Sequence, residues 1–454
     1  MTPDPVPMDD SAVRGTFGIC LVAVVGGACV GVVAGAFRWC LLQAVDIRVS
    51  VLHRVREMPG PVWLVPVVVV AGCAAAARYV VRRVPAAAGS GVQDVEAIWR
   101  GEAEPATGIV LPAKFVGGLL AIGSGMALGR EGPTVHMGAV IGSEAGRWFR
   151  TSTNDRRILQ AAFGGAGLAV AFNAPLGGAL FVFEEVSKSF RTRLALATLI
   201  SCATAIAVSR TILPDTPDFV VSTVGPLPTW QFIVFAAFGF IMGLLGAGYN
   251  RLVIGCLELS DRFGRVPPEV RAAGIGAVVG LLLLVQPEVT GGGHGLTQHV
   301  LGGGVALLPI IGYTAVRFVL GPLSYAAGTP GGLFAPLLAV GALLGLLFQG
   351  AAQVVVPGAG LHAAPFAIVG MAAFFAAVVR APLTAIVLVA EMTATTTLFV
   401  PLLAAVIAAV LAATVIRSEP IYDSLWKRRF VHPGAVRTGP EPDASPGDGP
   451  ASRP

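Results

Sequence analysis

Residues 318–379 restrict the fold of this chain more than any other part, because they contain no Asp, Glu, Lys or Arg. One transmembrane helix needs roughly 20 apolar residues, so this stretch is too long for a single span. Residues 16–37, 60–77, 229–250 and 392–416 also lack charged side chains. Only 13% of all residues are charged, whereas soluble domains average about 25%. The sequence therefore predicts an all-α, polytopic membrane protein.

The remaining composition argues against several other classes of protein. The net charge of +5 is spread over loops without a basic stripe, so no nucleic-acid partner is expected. The six cysteines lie in or beside apolar segments without a Cys-x-x-Cys pair, so we expect free packing thiols. Arg14 is the only basic residue before the first apolar stretch, which argues against a cleaved signal peptide. We expect a multi-pass protein of the cell (plasma) inner membrane.

One charged pair, Arg130 and Glu131, interrupts the otherwise uncharged residues 115–143. A carboxylate in lipid-like surroundings is costly, and chains that keep one commonly use it on an ion or proton pathway. The flanking Gly and Pro residues predict a helix start here, and helix N-termini attract anions. Glu131 can therefore act as a built-in anion that competes with a dissolved anion and leaves when it is protonated.

Three motif pairs recur in the same order and indicate an internal repeat. The pairs are Gly129, Pro133, Gly138 and Gly142 with Gly332, Pro336, Gly341 and Gly345; Ala174-Pro175-Leu176 and Glu184 with Ala381-Pro382-Leu383 and Glu391; and Ala34-Gly35 and Arg38 with Ala247-Gly248 and Arg251. Their separations are 203, 207 and 213 residues. We predict transmembrane repeats at 15–212 and 228–430, with a binding site between their Gly/Pro-interrupted segments.

The segments outside the repeats are expected to be polar. We predict a polar N-terminal lead at 1–14 and a connecting loop at 213–227. Residues 431–454 are predicted to be a disordered tail, because they are rich in Pro, Gly, Asp and Ser. Basic residues place the loops at 147–157 and 251–271 on the cytosolic side of the membrane.

The helix expected after residue 131 is short. From 132 to 143 it extends about 18 Å at ~1.5 Å per residue, which does not cross a hydrocarbon core of about 30 Å. The sequence therefore predicts broken, re-entrant half-helices that begin near the bilayer midplane, one in each repeat.

Four short segments carry a resemblance to a known family. They are Gly-Ser-Gly at 89–91, Gly-Arg-Glu-Gly-Pro at 129–133, Gly-Leu-Phe-Ala-Pro at 332–336 and Glu-Pro-Ile-Tyr at 419–422. With these segments the chain resembles the CLC family of chloride channels and proton-coupled chloride antiporters, in its prokaryotic form without a C-terminal regulatory domain. The resemblance implies a CLC-like fold with two inverted repeats, and a homodimer with one pathway per subunit.

The resemblance also implies roles for two acidic residues. Glu131 matches the gating glutamate, and the alternative is a buried Arg130–Glu131 pair that holds two helices together. Glu185 matches the inner proton-transfer glutamate, and the alternative is a solvated helix end beside Lys188 and Arg191. Family members that act as channels usually carry a non-ionisable residue at the position of Glu185, so its presence favours coupled exchange.

Four further residues match the anion site of the family. Ser90 and Tyr422 would offer neutral hydroxyl donors to a dehydrated chloride, which a full positive charge could bind too tightly to release. Leu333 and Phe334 would contribute backbone N–H groups at the start of the second half-helix. The alternatives are a helix N-cap for Ser90, an interfacial aromatic for Tyr422 and core packing for Phe334.

Two positions depart from the family pattern. Gln93 stands where the first signature normally has proline, so it restores an N–H donor and loosens the turn. This substitution bears on anion preference rather than on the fold. His136 stands where relatives often have glutamine, and local packing or a hydrogen bond is the expected role.

The leading functional prediction is a transporter that exchanges chloride for protons, and the alternative is a passive, voltage- or pH-gated chloride channel of the same family. Chloride and protons are then the transported species, and no cofactor or metal is expected. A hydrolase is a third hypothesis, because Ser90 and Ser124 both lie in Gly-Ser-Gly contexts. No histidine lies near either serine in sequence, and a nucleophilic serine needs an activating base, so an enzyme is not expected.

Overall fold

The computed structural model describes residues 10–60, 62, 64–221, 225, 227–302, 306–358 and 360–431. Over these ranges the chain forms seventeen α-helices and no β-strand. The helices are α1 (Asp10–Glu57), α2 (Leu64–Arg83), α3 (Val92–Arg100), α4 (Val110–Ser124), α5 (Glu131–Trp148), α6 (Thr153–Phe172), α7 (Pro175–Phe181), α8 (Thr192–Ser209), α9 (Gln231–Arg262), α10 (Pro268–Val285), α11 (His294–Leu301), α12 (Leu307–Ala326), α13 (Phe334–Val355), α14 (Ala363–Val379), α15 (Pro382–Thr393), α16 (Phe399–Val415) and α17 (Ile421–Trp426).

Seven of the described helices are long and apolar enough to cross a membrane, namely α1, α2, α8, α9, α10, α12 and α13. Helices α4, α14, α15 and α16 are apolar but shorter. The outward faces carry large apolar side chains such as Ile233 and Leu308, which are 75% and 79% exposed. A surface of this kind fits a lipid environment, and the prediction of an all-α polytopic membrane protein is confirmed.

The same packing arrangement occurs in both predicted repeats. Helix α1 packs along α6 and α8, while α9 packs in the same way along α14 and α16. Helix α5 lies along α6, as α13 lies along α14. Helices α2 and α10 join the two halves by packing against each other.

The structure can be compared with the predicted segment boundaries only where residues are described. Helix α1 begins at Asp10, so residues 10–14 of the expected polar lead are helical. No helix covers residues 213–221 of the expected connecting loop. Residues 1–9 and 432–454, which hold the rest of the lead and nearly all of the expected tail, lie outside the described residues. The division into two repeats at 15–212 and 228–430 stays a prediction.

The glycines of the repeated motif lie where the half-helices cross their neighbours. A Cβ atom on Gly138 of α5 would lie 2.1 Å from the carbonyl oxygen of Phe163 on α6. A Cβ atom on Gly345 of α13 would lie 2.0 Å from the carbonyl oxygen of Phe366 on α14. Only glycine permits such close backbone contact between apolar helices, which explains the recurrence of these glycines.

Two glutamates cap helices across the predicted repeats in a reciprocal way. The carboxylate of Glu184 accepts hydrogen bonds from the backbone N–H groups of Leu383 and Thr384, at 3.0 and 2.7 Å, at the start of α15. The carboxylate of Glu391 accepts from Leu176 and Gly177, at 3.1 and 2.7 Å, at the start of α7. The N–H groups at the start of a helix have no partner within that helix, and each of these carboxylates pairs with two such groups of the other helix. The recurrence of this glutamate in the sequence therefore has a structural cause.

Helix α5 is longer than the sequence predicts. It extends over 18 residues and ends at Trp148 rather than near residue 143. An ion pair between Glu144 and Arg147 stabilises the added turn on its exposed end. The predicted helix length counted only the uncharged residues. A helix can continue through charged residues beyond the apolar segment, so the prediction was too short.

We expect Glu184→Ala and Glu391→Ala to destabilise the protein to a similar degree. Each variant removes charge-assisted hydrogen bonds to two helix-start N–H groups, at a cost of about 2 kcal/mol. Thermal unfolding of the purified protein in detergent measures this loss. The exposed Glu57→Ala serves as the matched control and should leave stability unchanged. Equal stability of all three variants would contradict the capping role.

Candidate functional site

The two half-helices begin side by side inside the protein. The backbone N–H of Gly129 donates to the carbonyl oxygen of Gly332 at 2.8 Å, and the N–H of Gly332 donates back to Gly129 at 2.8 Å. Helix α5 starts two residues after Gly129 and α13 starts two residues after Gly332. The positive ends of both helices therefore lie close together, which creates a location suited to negative charge.

A third helix start joins this location. Helix α3 follows Gly91, which has a positive φ of 87°. The preceding Ser90 lies against α5, because a Cβ atom on Gly132 would lie 2.5 Å from the Ser90 Oγ. The N–H of Gly331 donates to the carbonyl oxygen of Gly89 at 3.1 Å. The three signature segments at 89–91, 129–133 and 332–336 are thus brought together, as predicted.

Glu131 lies at the centre of this arrangement and is only 1% exposed. Its carboxyl group folds back over Gly129, where its Oε2 lies 1.9 Å from the position that a Cβ atom would occupy. Neither carboxyl oxygen accepts a hydrogen bond of good geometry from the described residues. The carboxyl group lies within electrostatic reach of the Ala335 N–H in the first turn of α13.

A cavity of about 580 Å³ lies on one side of Glu131 and includes it in its lining. Three arginines, Arg38, Arg48 and Arg130, contribute to the wall together with Asp218, Glu288 and His294. Pro214, Thr216 and Pro217 of the connecting segment form part of the same wall. The connecting loop at 213–227 contains no Lys or Arg, unlike the loops at 147–157 and 251–271, so we expect this cavity to open on the outer side of the membrane.

Arg130 does not pair with Glu131. Its Nη2 donates to Asp218 Oδ2 at 2.7 Å, and its Nε donates to the carbonyl oxygen of Ala171 at 2.8 Å. Arg38 of α1 donates to the other oxygen of Asp218 at 2.5 Å. The alternative of a structural Arg130–Glu131 pair is therefore wrong, and Asp218 is the carboxylate that holds both arginines.

Ser90 and Tyr422 are both fully buried, and neither hydroxyl group has a hydrogen-bond partner among the described residues. The two hydroxyls lie within interaction distance of each other. An unpaired buried hydroxyl is costly, so two of them side by side point to a polar ligand. Tyr422 lies in the interior, and the alternative of an interfacial aromatic is therefore wrong.

Lys114 anchors the loop that carries Ser90. Its Nζ donates to the carbonyl oxygens of Ala87, Ala88 and Gly89, at 3.2, 3.2 and 2.8 Å. In the second half, Arg317 donates in the same way to the carbonyl oxygens of Val289, Gly291 and Gly292, at 3.2, 2.5 and 2.8 Å. Lys114 and Arg317 are separated by 203 residues, the same separation as the half-helix motifs, so they are equivalent supports.

Leu333 and Phe334 are buried at the start of α13. The Phe334 ring contacts four other rings, those of Phe172, Phe181, Phe375 and Tyr422, with centroid distances between 4.8 and 6.4 Å. Core packing is therefore part of the role of Phe334, and it fixes the ring against Tyr422. The structure brings all four predicted anion-site residues next to Glu131.

Glu185 lies in a second polar cluster, on a π-helical turn at Val182–Val186 that continues α7. It is only 3% exposed, so the alternative of a solvated helix end is wrong. It lies within hydrogen-bonding range of Glu96 on α3, which is fully buried. The Glu96 carboxylate lies 3.5 Å from Arg100, and Asp423 pairs with both Arg100 and Lys188. The sequence analysis missed Glu96, whose contact with Glu185 depends on the tertiary fold.

The two departures from the family pattern are both buried near the Ser90 loop. Gln93 is 4% exposed, and its Oε1 has no partner among the described residues. The ring of His136 lies directly against Gly91, with both nitrogens likewise unpaired. The structure thus brings a histidine next to Ser90, which sequence distance did not indicate. No hydrogen bond joins His136 to the Ser90 hydroxyl in the described residues.

Fold and site together define a polytopic ion-transport protein with a buried acidic side chain at the start of a helix. The family model described as "Voltage gated chloride channel" matches residues 73–414, and the chain belongs to this family. The predictions of the family and of a CLC-like fold are therefore confirmed.

Several known proteins are similar to this chain over most of its length. The "H(+)/Cl(-) exchange transporter ClcA" of Salmonella paratyphi C (strain RKS4594) is 34% identical over 437 residues, which cover 95% of this chain and 92% of that protein. A solved structure of a slow cyanobacterial Cl⁻/H⁺ antiporter is 30% identical with a TM-score of 0.86, covering 91% of this chain and 98% of that one. A eukaryotic CLC transporter is 25% identical with a TM-score of 0.75, covering 90% of this chain and 74% of that one.

We expect Asp218→Asn to destabilise the protein, because it leaves Arg38 and Arg130 side by side without a carboxylate. Removal of one partner from a buried ion pair costs about 3 kcal/mol. Thermal unfolding in detergent measures this loss. The matched control is Asp215→Asn, whose exposed ion pair with Arg210 lies on the same connecting segment. If both variants unfold at the wild-type temperature, Asp218 does not hold the arginines.

Proposed function

We propose that this protein exchanges chloride for protons across the inner membrane, with Glu131 competing with chloride for one binding location. The observation that carries the proposal is the position of the Glu131 carboxyl group, enclosed beside the starts of α5 and α13 and bordering the outer cavity. Ionised, this carboxyl group occupies a location that suits an anion. Protonated, it loses that attraction and can move aside, so proton binding and anion passage are linked.

The chloride site proposed here is formed by neutral donors. The partnerless hydroxyls of Ser90 and Tyr422 replace water around a dehydrated anion, and the N–H groups of Leu333 and Phe334 add the positive end of α13. Neutral donors bind an anion firmly enough to replace its hydration and weakly enough to release it. In this proposal chloride is the transported substrate, and no cofactor or metal takes part.

Protons reach Glu131 from the cytosolic side through Glu185 in this proposal. Glu185 and Glu96 form a buried pair of carboxyl groups next to the cations Arg100 and Lys188. A pair of adjacent carboxyl groups readily binds a single shared proton, because two like charges in close contact are unfavourable. The pair is therefore a suitable relay between the cytosol and the interior of the protein.

The comparisons favour exchange over the alternative of a passive channel. The Salmonella relative is named a proton/chloride exchange transporter, and the cyanobacterial structure is titled a chloride/proton antiporter. The presence of an ionisable residue at position 185 agrees with these names. A transporter also accounts for both acidic residues, whereas a channel needs only the outer one.

The proposal also includes the oligomeric state of the protein. The family resemblance implies a homodimer with one complete pathway per subunit. Every element of the proposed pathway comes from one copy of this chain, so each subunit can transport independently. In this proposal the lipid bilayer contacts the apolar outer faces of the helices, where large hydrophobic side chains are exposed.

The decisive experiment uses Glu185→Gln in liposomes with chloride and proton fluxes recorded together. We expect proton movement to fall below detection while chloride flux continues, because glutamine cannot carry a proton. The control is Glu102→Gln, an exposed residue just after α3, which should transport both ions as the wild type does. Unchanged transport of both ions by Glu185→Gln would instead favour a passive channel, provided that the wild type moves no protons either.

We expect Glu131→Gln to remove proton coupling and to leave anion flux, because glutamine has the shape of a permanently protonated glutamate. The same liposome assay checks this outcome, with chloride flux losing its dependence on pH. Glu144→Gln at the other end of α5 is the control. Retained coupling in Glu131→Gln would remove this residue from the mechanism, whereas a failure to fold would assign it a structural role.

A further inference from the structure

A second cavity, of about 180 Å³, lies far from the outer one and has a different lining. Its polar wall is formed by Arg78 of α2, Ser260 and Asp261 of α9, Arg271 of α10 and Arg428 after α17. Three of these five residues are arginines, and one is an acid. We call this cavity the arginine pocket.

The charges of the arginine pocket are not balanced. Arg428 forms an ion pair with Asp261, which neutralises both residues. Arg271 donates to the carbonyl oxygen of Ser260 and, at 3.2 Å, to its hydroxyl, and its Nε is buried without a partner. Arg78 makes no hydrogen bond or ion pair with any described residue, and it lies within electrostatic range of both Arg271 and Glu269. Neither Arg78 nor Arg271 therefore forms an ion pair with a carboxylate among the described residues.

The nearby acidic residues offset these two charges only in part, through the electrostatic effect of Glu269 on Arg78. Glu269, in the first turn of α10, points to the exposed Arg82, which lies 3.3 Å from it. Glu258 is the other carboxylate close to this cluster, and it lies near Arg428. Two like charges held at short range repel each other, and burial makes that repulsion stronger. An arrangement of this kind is stabilised when an anion binds between the charges.

The arginine pocket faces the cytosol according to the distribution of basic residues. Its lining includes Leu257, Ser260 and Asp261 at the end of α9 and Pro268 and Arg271 at the start of α10. This junction is rich in Arg, and such regions remain on the cytosolic side. Arg428 lies within a second basic segment, Lys427–Val431. The pocket can therefore meet cytosolic solutes or the headgroups of the inner leaflet.

The pocket is connected to the Ser90 loop through the end of α12. The Ser260 hydroxyl donates to the carbonyl oxygen of Ala326 at 3.2 Å, and Gly328 lies against the Arg78 guanidinium. Tyr325, which directly precedes Ala326, accepts a hydrogen bond from the backbone N–H of Ser90 at 3.4 Å. A ligand in the pocket would thus contact the segment that supports the proposed chloride site.

We propose that the arginine pocket binds a phosphate group, either as free phosphate or as the headgroup of an anionic phospholipid. Planar guanidinium groups donate paired hydrogen bonds that match the oxygens of phosphate, and a halide cannot use this geometry. The two guanidinium groups that have no ion-pair partner match the negative charge of phosphate. The volume of about 180 Å³ accommodates a tetrahedral oxyanion. This inference is independent of the proposed exchange of chloride and protons.

The test compares Arg78→Gln with Arg82→Gln, which removes the same charge one turn along α2 from a side chain that is 67% exposed. Because Arg78 has no partner among the described residues, its replacement leaves the folded contacts intact. Thermal unfolding of the full chain in detergent is recorded with sodium phosphate and with sodium gluconate at equal ionic strength. We expect phosphate to raise the unfolding temperature of the wild type and of Arg82→Gln, with about tenfold weaker binding in Arg78→Gln.

A second arm distinguishes the source of the phosphate group. The same three proteins are placed in nanodiscs of zwitterionic lipid, with or without phosphatidylglycerol, and unfolded in the absence of free phosphate. Stabilisation by phosphatidylglycerol that depends on Arg78 identifies a lipid headgroup, and stabilisation only by free phosphate identifies a soluble ligand. If neither arm separates Arg78→Gln from Arg82→Gln, the pocket binds no phosphate and the inference is overturned.

Discussion

The structure depends on the pair of hydrogen bonds between the backbones of Gly129 and Gly332. A helix that begins inside a membrane leaves several N–H groups without partners, and the bilayer core offers no water to pair them. The two half-helices solve this problem by starting next to each other and by exchanging backbone bonds just before they begin. The remaining N–H groups then point into one shared location, which explains why an anionic side chain is found there.

The two halves have equivalent frameworks but different chemistry. Lys114 and Arg317 support equivalent loops, yet the loop held by Lys114 carries Ser90 and the loop held by Arg317 carries Gly293 at the matching position. Likewise, Glu131 begins α5, whereas Phe334 lies near the matching position of α13. Backbone geometry is therefore repeated, and the polar side chains differ.

The sequence predicts the parts of this molecule that depend on local chemistry. Long uncharged stretches predict membrane helices, and Gly and Pro at 129–133 predict where a helix begins. The partner of Arg130 could not be predicted, because Asp218 lies 88 residues away on a segment without regular structure. The contact of Glu185 with Glu96 was missed for the same reason. Side-chain partners depend on how helices pack, and neither periodicity nor composition records that arrangement.

The reciprocal glutamate caps have a consequence for how the chain is made. The start of α7 needs the carboxylate of Glu391, which is 214 residues further along the chain than Gly177. While the ribosome is still producing the second half, Gly177 has no such partner, and the first half remains incomplete within the bilayer. The first half must therefore remain in the membrane with these N–H groups unpaired until the second half has been inserted. A polypeptide terminated early would leave the same backbone N–H groups without hydrogen-bond partners.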